Sequence, residues 1–169
     1  MIVVKNLHKH FGGVQAVNGV NLSIAKASIT GLIGPNGAGK TTLFNVIAGL
    51  YQPTSGNVYL ENDDITSLAP HKLFYKGVLR TFQLAHEFTT LTVRENLMMV
   101  PPNQVGESLL NTWLRPNLVK ANEEAVRAKA NEVMKFLEID HLSDEFAGNL
   151  SGGQKKLLEL GRTMMVDAK

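Results

Sequence analysis

The chain has 169 residues, 44% hydrophobic and 19% charged, with 15 Gly, 6 Pro and no Cys. That is an ordinary globular composition, long enough for one substantial core, and it excludes disulfide staples, thiolate metal sites and a cysteine nucleophile. Seventeen Lys and Arg against fifteen Asp and Glu leave a formal charge of +2, too balanced for a phosphate-backbone footprint, so no nucleic-acid partner is expected. Met1–Lys5 carries no signal-peptide pattern and no run approaches eighteen apolar residues, so no membrane span and no visible secretion signal are expected.

The first thirty-odd residues alternate apolar and polar, as at Ile2, Val4, Val17, Val20, Leu22 and Ile24, broken by Gly12-Gly13; period two predicts short antiparallel strands. Ser28–Ile33 (SITGLI) is instead a short, mostly apolar run, the pattern of a strand buried in the centre of a sheet. A helix is predicted from about Gly39 to Ala48, ended by the turn residues Tyr51–Gly56. Strand periodicity returns at Val58–Leu60 and Ile65, followed by a short helix at His71–Tyr75 and a strand at Val78–Phe82. From about Ala85 to Gly148 the texture becomes helical, split by Pro101-Pro102-Asn103 and Pro116, which predicts a separate helical lobe. Its clearest helix is Asn122–Leu137, where Val126, Ala130, Val133, Met134 and Leu137 form one apolar stripe that reads as core packing and carries no chemistry.

Chemistry enters at Gly34-Pro35-Asn36-Gly37-Ala38-Gly39-Lys40-Thr41, a full G-x-x-x-x-G-K-[ST] match between the predicted buried strand and the predicted helix. Glycines let successive N–H groups converge on phosphate oxygens, and the helix that follows points its positive end at them. Lys40 then reaches the terminal phosphates, Thr41 offers its hydroxyl to Mg2+, and Thr42 supports the phosphates and the first helical turn. Leu150-Ser151-Gly152-Gly153-Gln154 opens a second helical pattern with Ser151 at the N-cap. It reads as another anion-binding helix terminus, the alternative for the bare pentapeptide being an ordinary capped helix start. The five histidines, His8, His10, His71, His86 and His141, lack metal-ligand pairing at i, i+4 and read as surface or loop residues.

The phosphate loop followed by LSGGQ resembles the ATP-binding-cassette (ABC) ATPases. The resemblance implies an α/β fold with a P-loop NTPase core, an N-terminal antiparallel β subdomain and an inserted helical lobe, organised as residues 1–84, 85–148 and 149–169 of a single domain. It also implies a head-to-tail dimer in which ATP lies between one subunit's loop (Asn36, Gly37, Ala38, Gly39, Lys40, Thr41 and Thr42) and the partner's Ser151, Gly152, Gly153 and Gln154. Gln83 is similar to the family's glutamine that reaches the metal and the attacking water, the alternative being a polar loop residue. Phe11, with Val17 after it, is similar to the family's adenine-stacking site, the alternative for Phe11 being core packing.

Phe11–Val17, Arg80–Gln83 and Leu91–Leu97 resemble the ATP-binding subunits of branched-chain amino acid importers, a pattern shared with urea and amide importers. The implied partners are a second ATPase subunit and a transmembrane permease received at residues 83–97, with Phe88 a candidate contact. The implied location is the inner face of the plasma membrane, with attachment only through the permease. A non-transport ABC protein acting on DNA or ribosomes, and a nucleotide-binding module without catalysis, are the alternatives. The family continues into a hydrophobic strand ending in Asp-Glu and then a switch histidine, none of which follows Gln154 here. The sequence is therefore expected to be a truncated one that binds ATP, hydrolyses it poorly alone, and aggregates through an uncovered Ser28–Ile33 edge.

Overall fold

The computed structural model describes residues 1–81, 87–166 and 168–169. Two compact units divide them, Met1–Leu79 with Lys169, and Arg80–Ala168.

The first unit is built on an antiparallel sheet of β1 (Ile2–Phe11), β2 (Val14–Ile24), β3 (Ser55–Leu60) and β4 (Asp63–Asp64), in the order β2-β1-β3-β4. Val4 sits opposite both Leu22 and Val58. Val4 and Leu7 are both buried, although residues three apart face opposite sides of a regular strand. The register shift between them, with Asn6 at φ 45°, inserts the residue that returns Leu7 to the core face. α1 (Lys40–Ile47) lays Leu43 and Val46 into that core, and α2 (Pro70–Tyr75), opened by Pro70 in its first turn, adds Leu73.

Two sequence expectations fail here. Ser28–Ile33 forms no strand, and Ile29 and Ile33 are fully exposed, at 104% and 95%. Such a run becomes a buried strand only with a hydrogen-bonded neighbour on each side, and the four strands described pair only with one another. Val78–Thr81 is likewise not a strand, although Val78 packs against the core, and Phe82 lies outside the described residues.

The second unit is helical: α3 (Val93–Met98), α4 (Leu109–Leu114), α5 (Pro116–Phe136) and α6 (Gly152–Met164). Its core gathers Val93 and Leu97 from α3, Ala130, Val133 and Met134 from α5, and Leu158 from α6. The expected apolar stripe of α5 is the buried one, but the helix starts six residues earlier, because Pro116 suits a first helical turn as well as it ends the segment before it. Among the described residues no helix is long and apolar enough to cross a membrane.

Candidate nucleotide-binding site

Residues 34–39 lead into α1 as an exposed turn in which Gly37 and Gly39 take φ of 83° and 80°. At Gly39 a second constraint applies: a Cβ would run into the carbonyl oxygen of Ala16 on β2. This glycine is thus required twice over, by a left-handed backbone and by the strand beneath it. α1 has no side-chain cap and no acidic residue in its first turn, so the unpaired N–H groups and positive end of the helix are left uncompensated. The Lys40 Nζ donates to the carbonyls of Gly34 (2.8 Å) and Pro35 (2.7 Å), which sets a positive charge across the loop. Asn36 and Ala38 are exposed, Ala38 N–H donating to Pro35 O at 3.3 Å. Thr41 is exposed with its hydroxyl bonded to no protein group among the described residues, and Thr42 is half-buried. Glycine turn, helix start, ammonium and free hydroxyl together suit a polyphosphate carrying a divalent cation.

Phe11 ends β1 with its ring 44% exposed. Tyr51 meets it edge-on, 5.3 Å between centroids at 81°, and Lys9 Nζ lies 4.9 Å from its centroid. Val17, by contrast, is a core residue at 5% exposure, its methyl beside Gly39; it supports the loop from beneath and offers little surface of its own. His8 and His10 are half-buried strand residues and not surface or loop positions. His8 accepts from Gly19 N–H at Nδ1 (3.2 Å) and bonds Asn6 Oδ1 through Nε2 (3.2 Å), bracing the irregular stretch of β1. His71 lies on α2, His141 in a 3₁₀ turn, and no cluster of three metal-ligating side chains occurs among the described residues.

In the second unit Ser151 caps α6 through a closed capping box. Its hydroxyl accepts from Gln154 N–H (3.4 Å) while the Gln154 Oε1 accepts from Ser151 N–H (2.8 Å). Gly152 and Gly153 have ordinary φ, and a Cβ on either would meet nothing within 4 Å. Among the described residues no contact therefore requires glycine there. Gly161 differs: a Cβ would press on Leu137, Leu97 and Val133 at 3.0–3.3 Å, so this glycine sets how closely α6 packs.

α6 also holds the segment before α3. Lys155 pairs with Glu87 at 2.6 Å, and the Arg162 guanidinium lies 5.4 Å from the centre of the Phe88 ring. From α3, Asn96, fully buried, accepts from Phe88 N–H (2.9 Å) and donates to the carbonyls of Phe88 (3.0 Å), Leu91 (3.3 Å) and Thr92 (2.9 Å). Gln83 and His86 lie outside the described residues. Sequence reasoning passed over Tyr51, Glu87, Asn96, Lys155 and Arg162. Only Asn96 left a signal, an amide at i+3 from Val93 on a face otherwise apolar.

The ABC transporter family model matches residues 17–169. A protein of Archaeoglobus fulgidus named "Probable branched-chain amino acid transport ATP-binding protein LivG" is 43% identical over the whole chain, which covers 65% of that relative. The Escherichia coli K12 high-affinity branched-chain amino acid transport ATP-binding protein LivG is 37% identical over 98% of the chain, again covering 65% of the relative. The chain thus spans just under two thirds of these proteins' length. Among solved structures, a nucleotide-free ATP-binding cassette from an ABC transporter superposes with a TM-score of 0.77 at 43% identity, and an ADP-conformation cassette with 0.77 at 42%. The matches cover 97% of this chain and 64% of each structure.

Proposed function

The chain belongs to the ABC transporter ATP-binding family, and from that membership we propose that it is the ATP-binding part of an importer subunit, with branched-chain amino acids as the cargo of the assembled transporter. ATP binding closes a head-to-tail pair of such subunits, hydrolysis reopens it, and a transmembrane permease at the inner face of the plasma membrane follows the cycle. The domain organisation that goes with this reading is one ABC domain with residues 85–148 as its helical lobe.

The observation that carries the reading is the pair of glycines at 152 and 153, which are exposed and have no contact among the described residues that calls for glycine. A close-approaching ligand from outside the chain supplies that reason, and the loop at Gly34–Thr41 is a second surface of matching chemistry. ATP between the two, with its γ-phosphate at Ser151 and Gly153 of a partner subunit, uses both. In this arrangement Lys40 gives up the Gly34 and Pro35 carbonyls for the β- and γ-phosphates, and Phe11 stacks on adenine with its exposed ring held edge-on by Tyr51. Thr41, joined by Gln83, holds Mg2+, which when bound neutralises developing phosphoryl charge. Glu87 and Phe88, fixed by Lys155, Arg162 and Asn96, form part of the surface that receives the permease.

Binding of a fluorescent ATP analogue tests the two halves separately. Lys40→Ala is expected to weaken binding about 10- to 100-fold, the worth of hydrogen bonds to a charged group; undiminished affinity would refute the loop assignment. Ser151→Arg should leave binding by the isolated subunit intact and abolish nucleotide-driven dimerisation. Dimers formed normally by that variant would remove the signature from the interface.

A further inference from the structure

The surface least explained by nucleotide binding or permease docking is α4 and the turn after it. Leu109 (88% exposed), Leu110 (69%), Trp113 (84%), Leu114 (67%) and Leu118 (47%) stand in solvent within ten residues. Single exposed apolar residues are commonplace; five large ones in a contiguous stretch mark a contact surface. The helix is held from its other side. Thr112 Oγ1 donates to the carbonyls of Gly106 (3.0 Å) and Ser108 (3.1 Å), Asn111 is half-buried, and Asn122 Oδ1 accepts from Val105 N–H (3.3 Å). The apolar side chains are therefore presented by a tethered helix and are not a frayed end.

The charges beside them select the occupant. Residues 108–122 contain no Asp or Glu. Arg115 and Lys120, both exposed, form no ion pair among the described residues. The indole N–H of Trp113 likewise has no protein acceptor among them. Leucines and a tryptophan side by side at the α4–α5 junction, with the unpaired cations Arg115 and Lys120 among them and the acids Glu107, Glu123 and Glu124 only at the ends of the stretch, match an anionic bilayer surface. The aliphatic chains enter the acyl boundary, the indole sits at the carbonyl level, and the two cations meet lipid phosphates. We propose that Leu109–Leu118 is a lipid-contacting foot, which binds the anionic leaflet directly and so adds to the permease-mediated attachment. The inference rests on the membrane location proposed above.

Trp113 is the only tryptophan in the chain, so its emission reports on this surface alone. The full chain is titrated with phosphatidylcholine vesicles containing or lacking phosphatidylglycerol, and with vesicles carrying bromine on the acyl chains. A saturable blue shift and bromine quenching with the anionic vesicles are expected. Arg115→Gln and Lys120→Gln should each weaken binding about fivefold, and together about 25-fold. Leu110→Asp with Leu114→Asp should abolish it while leaving far-UV circular dichroism and binding of the ATP analogue unchanged. That last control separates failure of this inference from failure of the nucleotide reading. Three outcomes would overturn the proposal: emission that ignores anionic vesicles, a vesicle response that the two Gln variants leave intact, or a blue shift that depends on protein concentration without lipid. The last would assign the patch to a second copy of the chain.

Discussion

The most discriminating test of how the helical unit is organised is Asn96→Ala. The Asn96 amide makes three hydrogen bonds of 3.0 Å or less, one accepted from Phe88 N–H and two donated to the carbonyls of Phe88 and Thr92, from a position with no solvent exposure. At about 1 kcal/mol net for each bond, truncation should cost about 3 kcal/mol. For a chain of this size that lowers the unfolding midpoint by roughly 6–12 °C. Thermal and urea unfolding followed by circular dichroism measure the loss, and hydrogen exchange at the Phe88 amide localises it. Asn96→Asp sharpens the test because it keeps the acceptor for Phe88 but turns a carboxylate toward two or three carbonyl oxygens. Its folded-state pKa should rise above the usual value of about 3.9, so the folded protein binds more protons than the unfolded one between those two values. Stability of this variant must then fall as pH rises through that window, and recover on acidification. A loss under about 0.5 kcal/mol for Asn96→Ala, the size of a neutral surface change, or a pH-independent Asn96→Asp, would show that the amide does not hold residues 88–92.

Two further outcomes follow from local geometry. Gly39→Ala should both destabilise the first unit and abolish binding of the ATP analogue, because the new methyl group meets Ala16 O and the backbone stays at φ 80°; normal melting would mean that the loop is not pressed against β2. The Glu95 carboxylate is held below its ordinary range by hydrogen bonds from the N–H and then the hydroxyl of Thr92. Its contribution is therefore present above about pH 4.3, the unfolded value, and is lost as pH falls through the lower folded value. Glu95→Gln should remove that part of the acid sensitivity, and an unchanged acid-unfolding curve would count against the capping box at α3.

The parts legible in the sequence were those fixed by local rules. A period of two gave β1 and β2, glycine turn chemistry placed the loop and the start of α1, and Ser151 announced a cap, which the structure closes at both bonds through Gln154. The parts that escaped depend on distant chain. The composition of Ser28–Ile33 states what environment it wants, two covered faces, and not what supplies it. The irregularity at Asn6 reflects a parity conflict between Val4 and Leu7 that shows only once both are known to be buried. Lys155 and Arg162 look like solvated charges until Glu87 and Phe88, more than sixty residues earlier, are brought beside them.

Lys155 and Arg162 stand seven residues apart, two turns along one side of α6. At 1.5 Å per residue, Arg162 is about 16 Å from Ser151. A stiff rod of that length behaves as a lever arm, and a tilt of only about 5° displaces its far end by about 1.4 Å. That is enough to slide the guanidinium across the Phe88 ring, while at Lys155, about 6 Å along, the same tilt moves the 2.6 Å contact with Glu87 by about 0.5 Å. Because Gly161 brings the arm within contact of Leu97 and Val133, close packing resists a gradual bend and favours movement of the whole rod. Whatever draws on the Ser151 end is therefore felt at residues 87 and 88 as a displacement.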